Sequence, residues 1–180
     1  MTRYSKFLSL VLRHKPQTIG LRLDAKGWAE VDELLERSRR AGVPLTAPLL
    51  KKIVEENDKQ RFSFSDDGLR IRANQGHSLP VDLELEPRTP PERLFHGTAT
   101  RFLDSIREKG LVAGNRIHVH LSPDEPTAIK VGRRHGDPVV LEILAGRMCG
   151  HGFEFFLSLN GIWLTERVPR EHIVFPKEDE

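Results

Sequence analysis

The beginning of the chain carries apolar residues at helical spacing in three successive segments. The first ends before Pro16, because proline pushes the residue before it out of the helical region. The second covers 31–40 and stops at Gly42, and the third closes at Asn57. These segments predict three amphipathic helices. The apolar face of the first is formed by Phe7, Leu8, Val11 and Leu12, and that of the third by Leu49, Leu50, Ile53 and Val54.

In two places of this first part of the chain, apolar and polar residues alternate with a period of two instead of following helical spacing. Residues 21–23 predict a short strand that runs into a turn at 24–27. Residues 62–65 and 69–72 alternate apolar and polar side chains around a turn at 66–68, which predicts a hairpin. Three helices followed by a two-stranded hairpin are typical of a winged helix-turn-helix.

The second half of the chain is richer in predicted strands. Three prolines in 84–91 exclude a helix or a central strand there. We therefore predict a lobe at 1–83, a linker at 84–91 and a second lobe at 92–180, with an α+β fold class. The elements predicted for the second lobe are a strand from Leu94 through Thr98, a helix with Phe102, Leu103 and Ile106 inward and Gly110 after it, a strand at 117–121, a helix at 127–134, a strand at 139–144, a turn at 148–153 and a hairpin at 155–164 around Asn160-Gly161.

Composition narrows the class of protein. Hydrophobic residues make up 38% of the chain and charged residues 30%, as in ordinary globular proteins. No apolar run approaches the roughly 18 residues that span a bilayer, and the amphipathic N-terminus does not resemble a signal peptide. Cys149 is the single cysteine, which excludes an internal disulfide and a cysteine-based zinc cluster. We expect a cytoplasmic protein without a membrane partner, and a monomer.

Charge is unevenly distributed although the net charge is only +2. Residues 1–80 hold 15 Lys and Arg against 10 Asp and Glu, whereas the rest holds 13 against 16. A mildly basic first part suits a polyanionic partner, because neutralising phosphates releases counterions. Taken alone, this distribution is explained more simply by an ordinary solvated surface.

Two basic groups of the first lobe are candidates for phosphate binding. Arg13 and His14 end the first helix, where cations are favoured electrostatically whatever their function. Arginine also forks two phosphate oxygens, and histidine can donate to one. Lys59 and Arg61 lie before the hairpin, where solvated charges are common. We expect Arg61 to point away from the apolar side of the hairpin.

The run at 115–122, NRIHVHLS, is the most unusual local pattern. On a strand, Arg116, His118 and His120 share one face. A His-x-His pair can bind zinc, but no third ligand follows at a recognisable spacing. The two histidines also suit acid–base cleavage of RNA, a dinucleotide pocket, or a partly buried position with satisfied hydrogen bonds.

In His96-Gly97-Thr98, glycine would let a ligand approach the backbone closely. The chain has neither a GxGxxG nor a P-loop motif, so Rossmann and P-loop nucleotide sites are not supported.

Six short motifs, taken together and in order, resemble the RNA 2′-phosphotransferase family, whose best-known members act in tRNA splicing. The resemblance runs from Ser5 to about Phe175. The motifs are Leu-Arg-His at 12–14, Asn-Asp-Lys-Gln-Arg-Phe at 57–62, Gln-Gly-His-Ser at 75–78, His-Gly-Thr at 96–98, Arg-x-His-Val-His-Leu-Ser at 116–122 and Ser-Leu-Asn-Gly-Ile-Trp-Leu at 158–164.

The resemblance implies a winged-helix lobe followed by a lobe of the ADP-ribosyltransferase fold. It implies Lys59 as an RNA phosphate ligand, Val168 in place of the usual catalytic glutamate of that fold, and no metal. The implied catalytic tetrad is Arg13, His14, Arg61 and Arg116. The implied NAD-binding residues are His96, Gly97, Thr98, His120 and Ser122.

The implied reaction removes an internal 2′-phosphate from RNA, with NAD as co-substrate. The 2′-phosphate attacks C1″ of the nicotinamide ribose and releases nicotinamide, which leaves an ADP-ribosylated phosphate. The ribose 2″-hydroxyl then attacks phosphorus and expels the RNA 2′-hydroxyl, giving ADP-ribose 1″,2″-cyclic phosphate. Because the nucleophile is already a dianion, fixed cations matter more than a base. We expect Arg61 and Arg116 to serve the second step, and His14 to donate to a phosphate oxygen or the leaving oxygen.

Three other functions fit parts of the sequence. A winged-helix nucleic-acid-binding regulator explains 1–80 but leaves the second lobe without a role. A two-histidine ribonuclease would cleave the RNA chain. A mono-ADP-ribosyltransferase acting on protein or on nucleic-acid phosphate ends would stop at a stable ADP-ribosylated product.

Overall fold

The computed structural model describes residues 2–57 and 59–176. The chain divides into two compact units, Met1–Glu84 and Leu85–Glu180, each with its own buried apolar cluster. Both units combine helices with small antiparallel sheets. The division falls within the proline-rich stretch at 84–91. On the far side of it, Pro87 forms a bridge with Phe156 inside the second unit.

Unit 1 contains the three helices that the apolar spacing predicts. They are α1 Thr2–Arg13, α2 Val31–Arg40 and α3 Ala47–Glu55. A short 3-10 helix, Pro16–Ile19, follows α1. Thr46 caps α3 by accepting a hydrogen bond from the Leu49 amide at 3.4 Å. The helices bury their apolar faces in one cluster, in which Leu8, Val11, Leu12 and Leu34 are fully buried.

Three short antiparallel strands complete unit 1. They are β1 Ala29–Glu30, β2 Phe62–Phe64 and β3 Arg70–Ala73, in the order β1-β3-β2. The hairpin of β2 and β3 is confirmed. Ile71 is fully buried at its centre and pairs with Ala29 on one side and Phe64 on the other.

The strand predicted at 21–23 is wrong, because these residues have no regular structure. Leu21 is nevertheless buried, since it packs its side chain into the helical cluster instead of pairing its backbone. The turn at 24–27 is confirmed. The Asp24 carboxylate accepts hydrogen bonds from the amides of Lys26 and Trp28, both at 2.9 Å.

Unit 2 alternates short strands with short helices. The helices are α4 Leu103–Lys109, α5 Glu125–Gly132 and α6 Ala145–Gly150, with 3-10 turns at Thr100–Phe102 and Arg170–His172. The strands are β4 Leu94–Ala99, β5 Leu111–Val112, β6 Val119–Leu121, β7 Pro138–Ile143, β8 Phe156–Leu157, β9 Trp163–Thr165, β10 Arg167–Val168 and β11 Ile173–Val174.

The strands of unit 2 form the sheets β11-β7-β4, β6-β9-β8 and β10-β5. The longest pairing joins β4 to β7, from Leu94 opposite Ile143 to Ala99 opposite Pro138. A single bridge between Phe95 and Ser122 connects β4 to the residue after β6, with amide-to-carbonyl distances of 2.9 and 2.7 Å.

Three predictions for unit 2 are wrong in part. Phe102 lies in a 3-10 turn and is 40% exposed, whereas Ile106 is buried as expected. The strand predicted at 117–121 begins only at Val119. The predicted turn at 148–153 is largely occupied by α6 and the turn that ends it. The hairpin is confirmed, with Gly161 at φ +74 in its turn.

Within 2–57 and 59–176, every helix is too short or too polar to cross a membrane.

Candidate active site

Arg13 occupies the last position of α1 and is only 8% exposed. Its guanidinium carbon lies 5.9 Å from the centre of the Phe62 ring. Its other side faces Gly76, where an added Cβ atom would stand 3.3 Å from Nη1. The Arg13 carbonyl accepts a hydrogen bond from the Ser78 amide at 3.0 Å. The segment at 75–78 therefore packs against the end of α1 and limits the positions that the guanidinium can take.

His14 is oriented by the same segment. Its Nδ1 lies 3.0 Å from the hydroxyl oxygen of Ser78. Ser78 thus restricts the orientation of the His14 ring.

An open groove of about 570 Å³ in unit 1 contains three of the predicted phosphate ligands: His14, Lys59 and Arg61. Arg13 precedes His14 in the chain, but its side chain does not line the groove. The remaining lining residues come from α1 and from α3 with its following turn, and they are Ser5, Lys6, Ser9, Leu10, Ile53, Glu56 and Asn57. Cations and hydroxyl groups therefore share one concave surface.

The loop that carries Lys59 and Arg61 is held by Asn57. The Asn57 Oδ1 accepts a hydrogen bond from the Lys59 amide at 3.1 Å and one from Arg61 Nη1 at 3.4 Å. Gln60 takes a left-handed conformation, φ +40, which is unfavourable for a residue with a side chain. Asn74 stabilises it by donating to the Gln60 carbonyl at 2.6 Å. The position of Arg61 is thus set by two asparagines.

His77 is a residue that the motif reading did not single out. It belongs to the segment 75–78 that packs against α1, and it is 1% exposed. Burial lowers the pKa of His77 to about 4, and the positive charges of Arg13 and His14 act in the same direction. The ring is therefore neutral near pH 7. The signals for Ser78 and His77 were present in the sequence as the Gln-Gly-His-Ser motif, whereas nothing in the local pattern pointed to Asn74.

In unit 2, the imidazole of His96 on β4 contacts the backbone of β6. Its Nδ1 lies 3.0 Å from the His120 carbonyl oxygen and must therefore carry the proton. Burial lowers the pKa of His96, which the hydrogen bond to the His120 carbonyl opposes in part. His96 is neutral near pH 7, with its Nε2 available as an acceptor.

Arg116 and His120 meet through their side chains. Arg116 Nη1 lies 3.3 Å from His120 Nδ1. Because a guanidinium can only donate, Nδ1 accepts and the His120 proton sits on Nε2. Burial lowers the pKa of Arg116, and the charge of Arg134 adds to that effect. A partly desolvated cation thus stands beside two histidines of fixed tautomer.

Backbone packing requires glycine at position 97, which the sequence alone did not reveal. An added Cβ atom would lie 1.7 Å from the Ala128 carbonyl oxygen of α5. At Gly132, one turn later on α5, it would lie 2.6 Å from the Thr98 carbonyl oxygen. Glycine at position 97 thus lets helix α5 lie directly on strand β4, and its role towards a ligand stays a prediction.

Thr98 and Ser122 are nearly buried, at 5% and 6% exposure, and Ser122 forms the backbone bridge to Phe95. Val168 is 1% exposed and pairs with Leu111, so it is a core residue.

His118 does not share a strand face with His120, because β6 begins after it. Its ring packs instead against Phe156, with centroids 5.7 Å apart. Burial lowers the pKa of His118, opposed by the charge of Glu166. Among the residues that the structure describes, no cluster of three His, Cys, Asp or Glu side chains has a metal-binding arrangement.

Comparison with known proteins bears on the whole chain. The RNA 2′-phosphotransferase, Tpt1/KptA family, matches residues 1–167. A protein of Burkholderia lata named as a probable RNA 2′-phosphotransferase is 57% identical over 96% of this chain and 89% of its own length. Proteins with the same name from Acaryochloris marina and Agrobacterium fabrum are 55% and 54% identical, over 94% and 96% of this chain and 94% and 92% of their own. The chain therefore belongs to the RNA 2′-phosphotransferase, Tpt1/KptA family.

Proposed function

We propose that this enzyme removes an internal 2′-phosphate from RNA, as at a tRNA splice junction, and transfers it to NAD. Family membership gives the reaction class. The groove of unit 1 is the observation that supports assigning phosphate binding to particular residues. In it, His14, Lys59 and Arg61 line one surface next to the C-terminal end of α1. A phosphate dianion suits such a surface, because guanidinium groups fork its oxygens and an imidazole can donate to another.

The groove residues position the dianion and do not need to deprotonate it. Arg61, held by Asn57, supplies a cation whose side-chain freedom is already restricted. His14, oriented by Ser78, donates to a phosphate oxygen or to the leaving 2′-oxygen. Arg13 and Arg116 complete the tetrad that the family resemblance implies, and Lys59 neutralises the flanking charge.

NAD is the second substrate, and the donor set of unit 2 fits a dinucleotide. His96 and His120 supply imidazole groups and Arg116 supplies a cation, a combination that suits ribose hydroxyls and a diphosphate. We expect Gly97 and Thr98 on β4, and Ser122 after β6, to belong to the same NAD site. When bound, NAD supplies an electrophilic ribose carbon with nicotinamide as its leaving group.

The reaction then proceeds in two substitutions. An oxygen of the RNA 2′-phosphate forms a bond to C1″, and nicotinamide departs. The 2″-hydroxyl then attacks phosphorus and loses its proton, the departing RNA 2′-oxygen takes up one proton, and the products are RNA with a free 2′-hydroxyl and ADP-ribose 1″,2″-cyclic phosphate.

We also propose that unit 1 is a winged helix and unit 2 an ADP-ribosyltransferase-like lobe. In support, unit 1 has three helices with the β2–β3 hairpin after the third, and unit 2 is built from short antiparallel strands without a Rossmann motif.

The direct test is incubation with an oligonucleotide that carries one internal 2′-phosphate, with and without NAD, followed by mass spectrometry of all products. We expect RNA of unchanged length with a free 2′-hydroxyl, nicotinamide and a cyclic phosphate of ADP-ribose, all dependent on NAD. Shortened RNA would identify a ribonuclease instead. An ADP-ribosylated end product that persists would identify a mono-ADP-ribosyltransferase.

A further inference from the structure

The groove of unit 1 is larger than the phosphate that its catalytic end would hold. Its volume of about 570 Å³ lies within the range of sites for whole small molecules, roughly 300–1,000 Å³. Its lining extends along α1 from His14 back to Ser5. We infer that this extension, formed by Ser5, Lys6, Ser9 and Leu10, binds the RNA strand next to the 2′-phosphate. The inference rests on the proposed function and deepens it.

The spacing along α1 gives the extension a direction. Lys6, Leu10 and His14 are four residues apart and therefore follow one row on the helix surface. At 1.5 Å per residue, Lys6 stands about 12 Å from His14 along the axis. A ligand that lies along the whole row, from the His14 end to the Lys6 end, must therefore be longer than a single phosphate group.

The side chains of the extension suit a ribonucleotide backbone. Lys6 is exposed and presents an ammonium group, while Ser5 and Ser9 are half-buried hydroxyls that donate or accept. Leu10 is 40% exposed and lines the groove, so it provides an apolar surface for a ribose or base.

Charge favours the same occupant. Among the described lining residues, the cations Lys6, Lys59 and Arg61 face one acidic side chain, Glu56. Glu56 is itself paired with Lys52 at 3.8 Å. Such side chains contact phosphate and sugar but do not distinguish one base from another. The extension is therefore expected to bind a flanking RNA strand whatever its sequence.

The test compares Lys6→Ala and Leu10→Ala with the unaltered enzyme on two substrates. One is a 2′-phosphorylated dinucleotide, and the other is an oligonucleotide extended on both sides of the same phosphate. With the oligonucleotide, we expect Lys6→Ala to raise KM about fivefold and Leu10→Ala about threefold. The increase should be smaller with the dinucleotide. Lys6→Ala should also reduce the salt dependence of oligonucleotide binding by about 0.7 in the log–log slope.

Matched controls are Lys51→Ala, an exposed lysine of α3 outside the groove, and Leu69→Ala, an exposed leucine of the hairpin. Neither should distinguish the two substrates. Binding measured by fluorescence anisotropy without NAD needs no turnover, so it tests the extension even if the proposed reaction fails. Equal penalties on both substrates, or oligonucleotide binding that Lys6→Ala and Leu10→Ala leave unchanged, would overturn the inference.

Discussion

At the scale of single residues, the groove cations are set in place by neutral side chains. Asn57 and Asn74 hold the loop of Arg61, and Ser78 holds His14. An arginine fixed in this way loses less side-chain freedom when it binds a phosphate, so more of its interaction energy is available in the transition state. The positioning residues are therefore expected to affect the rate through the orientation of Arg61 and His14.

Arg61→Ala should accumulate ADP-ribosylated RNA, because this guanidinium is proposed to stabilise charge in the second substitution. Removal of one such group lowers the rate by on the order of 10²-fold or more. Quenched-flow sampling with separation of the RNA species measures the intermediate directly. Arg39→Ala, an exposed arginine of α2, is the matched control. Loss of nicotinamide release together with phosphate transfer would assign Arg61 to the first step instead.

His77 gives unit 1 a defined pH dependence. Its pKa in the folded state, about 4, lies below the unfolded value of 6.5, so the unfolded chain binds the additional proton between these values. The free energy of unfolding should therefore fall as the pH drops from about 6.5 towards 4, by about 3 kcal/mol from this residue. Urea unfolding of the enzyme and of His77→Leu measures the difference. Stability curves of the two proteins that stay parallel from pH 7 to pH 4 would contradict the assignment.

At the scale of elements, the sequence was informative where a pattern extended over several residues. The bounds of α2 and the β2–β3 and β8–β9 hairpins follow from helical spacing and turn residues. The strand predicted at 21–23 failed because Leu21 is buried by packing and not by pairing. Helix α6, with glycines at both 146 and 150, has little helical propensity of its own, and two-residue strands such as β1 are too short for any period.

The candidate site shows the same limit. The charged residues were recognisable by type and motif, but the distances that orient them were not. The contact of Arg116 with His120 was expected from a shared strand face, yet it forms with Arg116 outside the strand.

The contact between β4 and α5 allows a sharp stability test. Gly97→Ala should lower the free energy of unfolding by at least about 2 kcal/mol, because its methyl group would overlap a backbone carbonyl that cannot move alone. Gly150→Ala is the matched control, since no atom lies within 4 Å of its added Cβ. It should be neutral or slightly stabilising. Urea unfolding of both variants measures the effect, and equal midpoints would refute the packing role.

At the scale of the whole molecule, the two buried clusters share no residue. One is made entirely from residues 8–73 and the other from residues 94–173. Each unit thus has the interior that a separate folding domain requires, and each exceeds the roughly 40 residues below which such domains need extra stabilisation. The proposed chemistry is divided in the same way, with Arg13, His14 and Arg61 on one unit and Arg116 on the other.

Fragments 1–84 and 85–180, expressed separately, should each fold but should not transfer phosphate. Dispersed amide signals in NMR spectra report folding, and the oligonucleotide assay reports activity, with the intact chain as the reference. An unfolded fragment would show that its core is insufficient alone. Phosphate transfer by either fragment would remove the need for residues from both units.

The glycine between His96 and Thr98 also limits how this enzyme can be re-engineered. The space beside it is filled by the main chain of a neighbouring helix, so not even a methyl group can be introduced without displacing that helix. In the proposed NAD site, changes of nucleotide preference are therefore expected to come from residues other than this glycine. When a motif search finds His-Gly-Thr, the glycine therefore reports the close approach of two backbone segments, whatever the flanking residues bind.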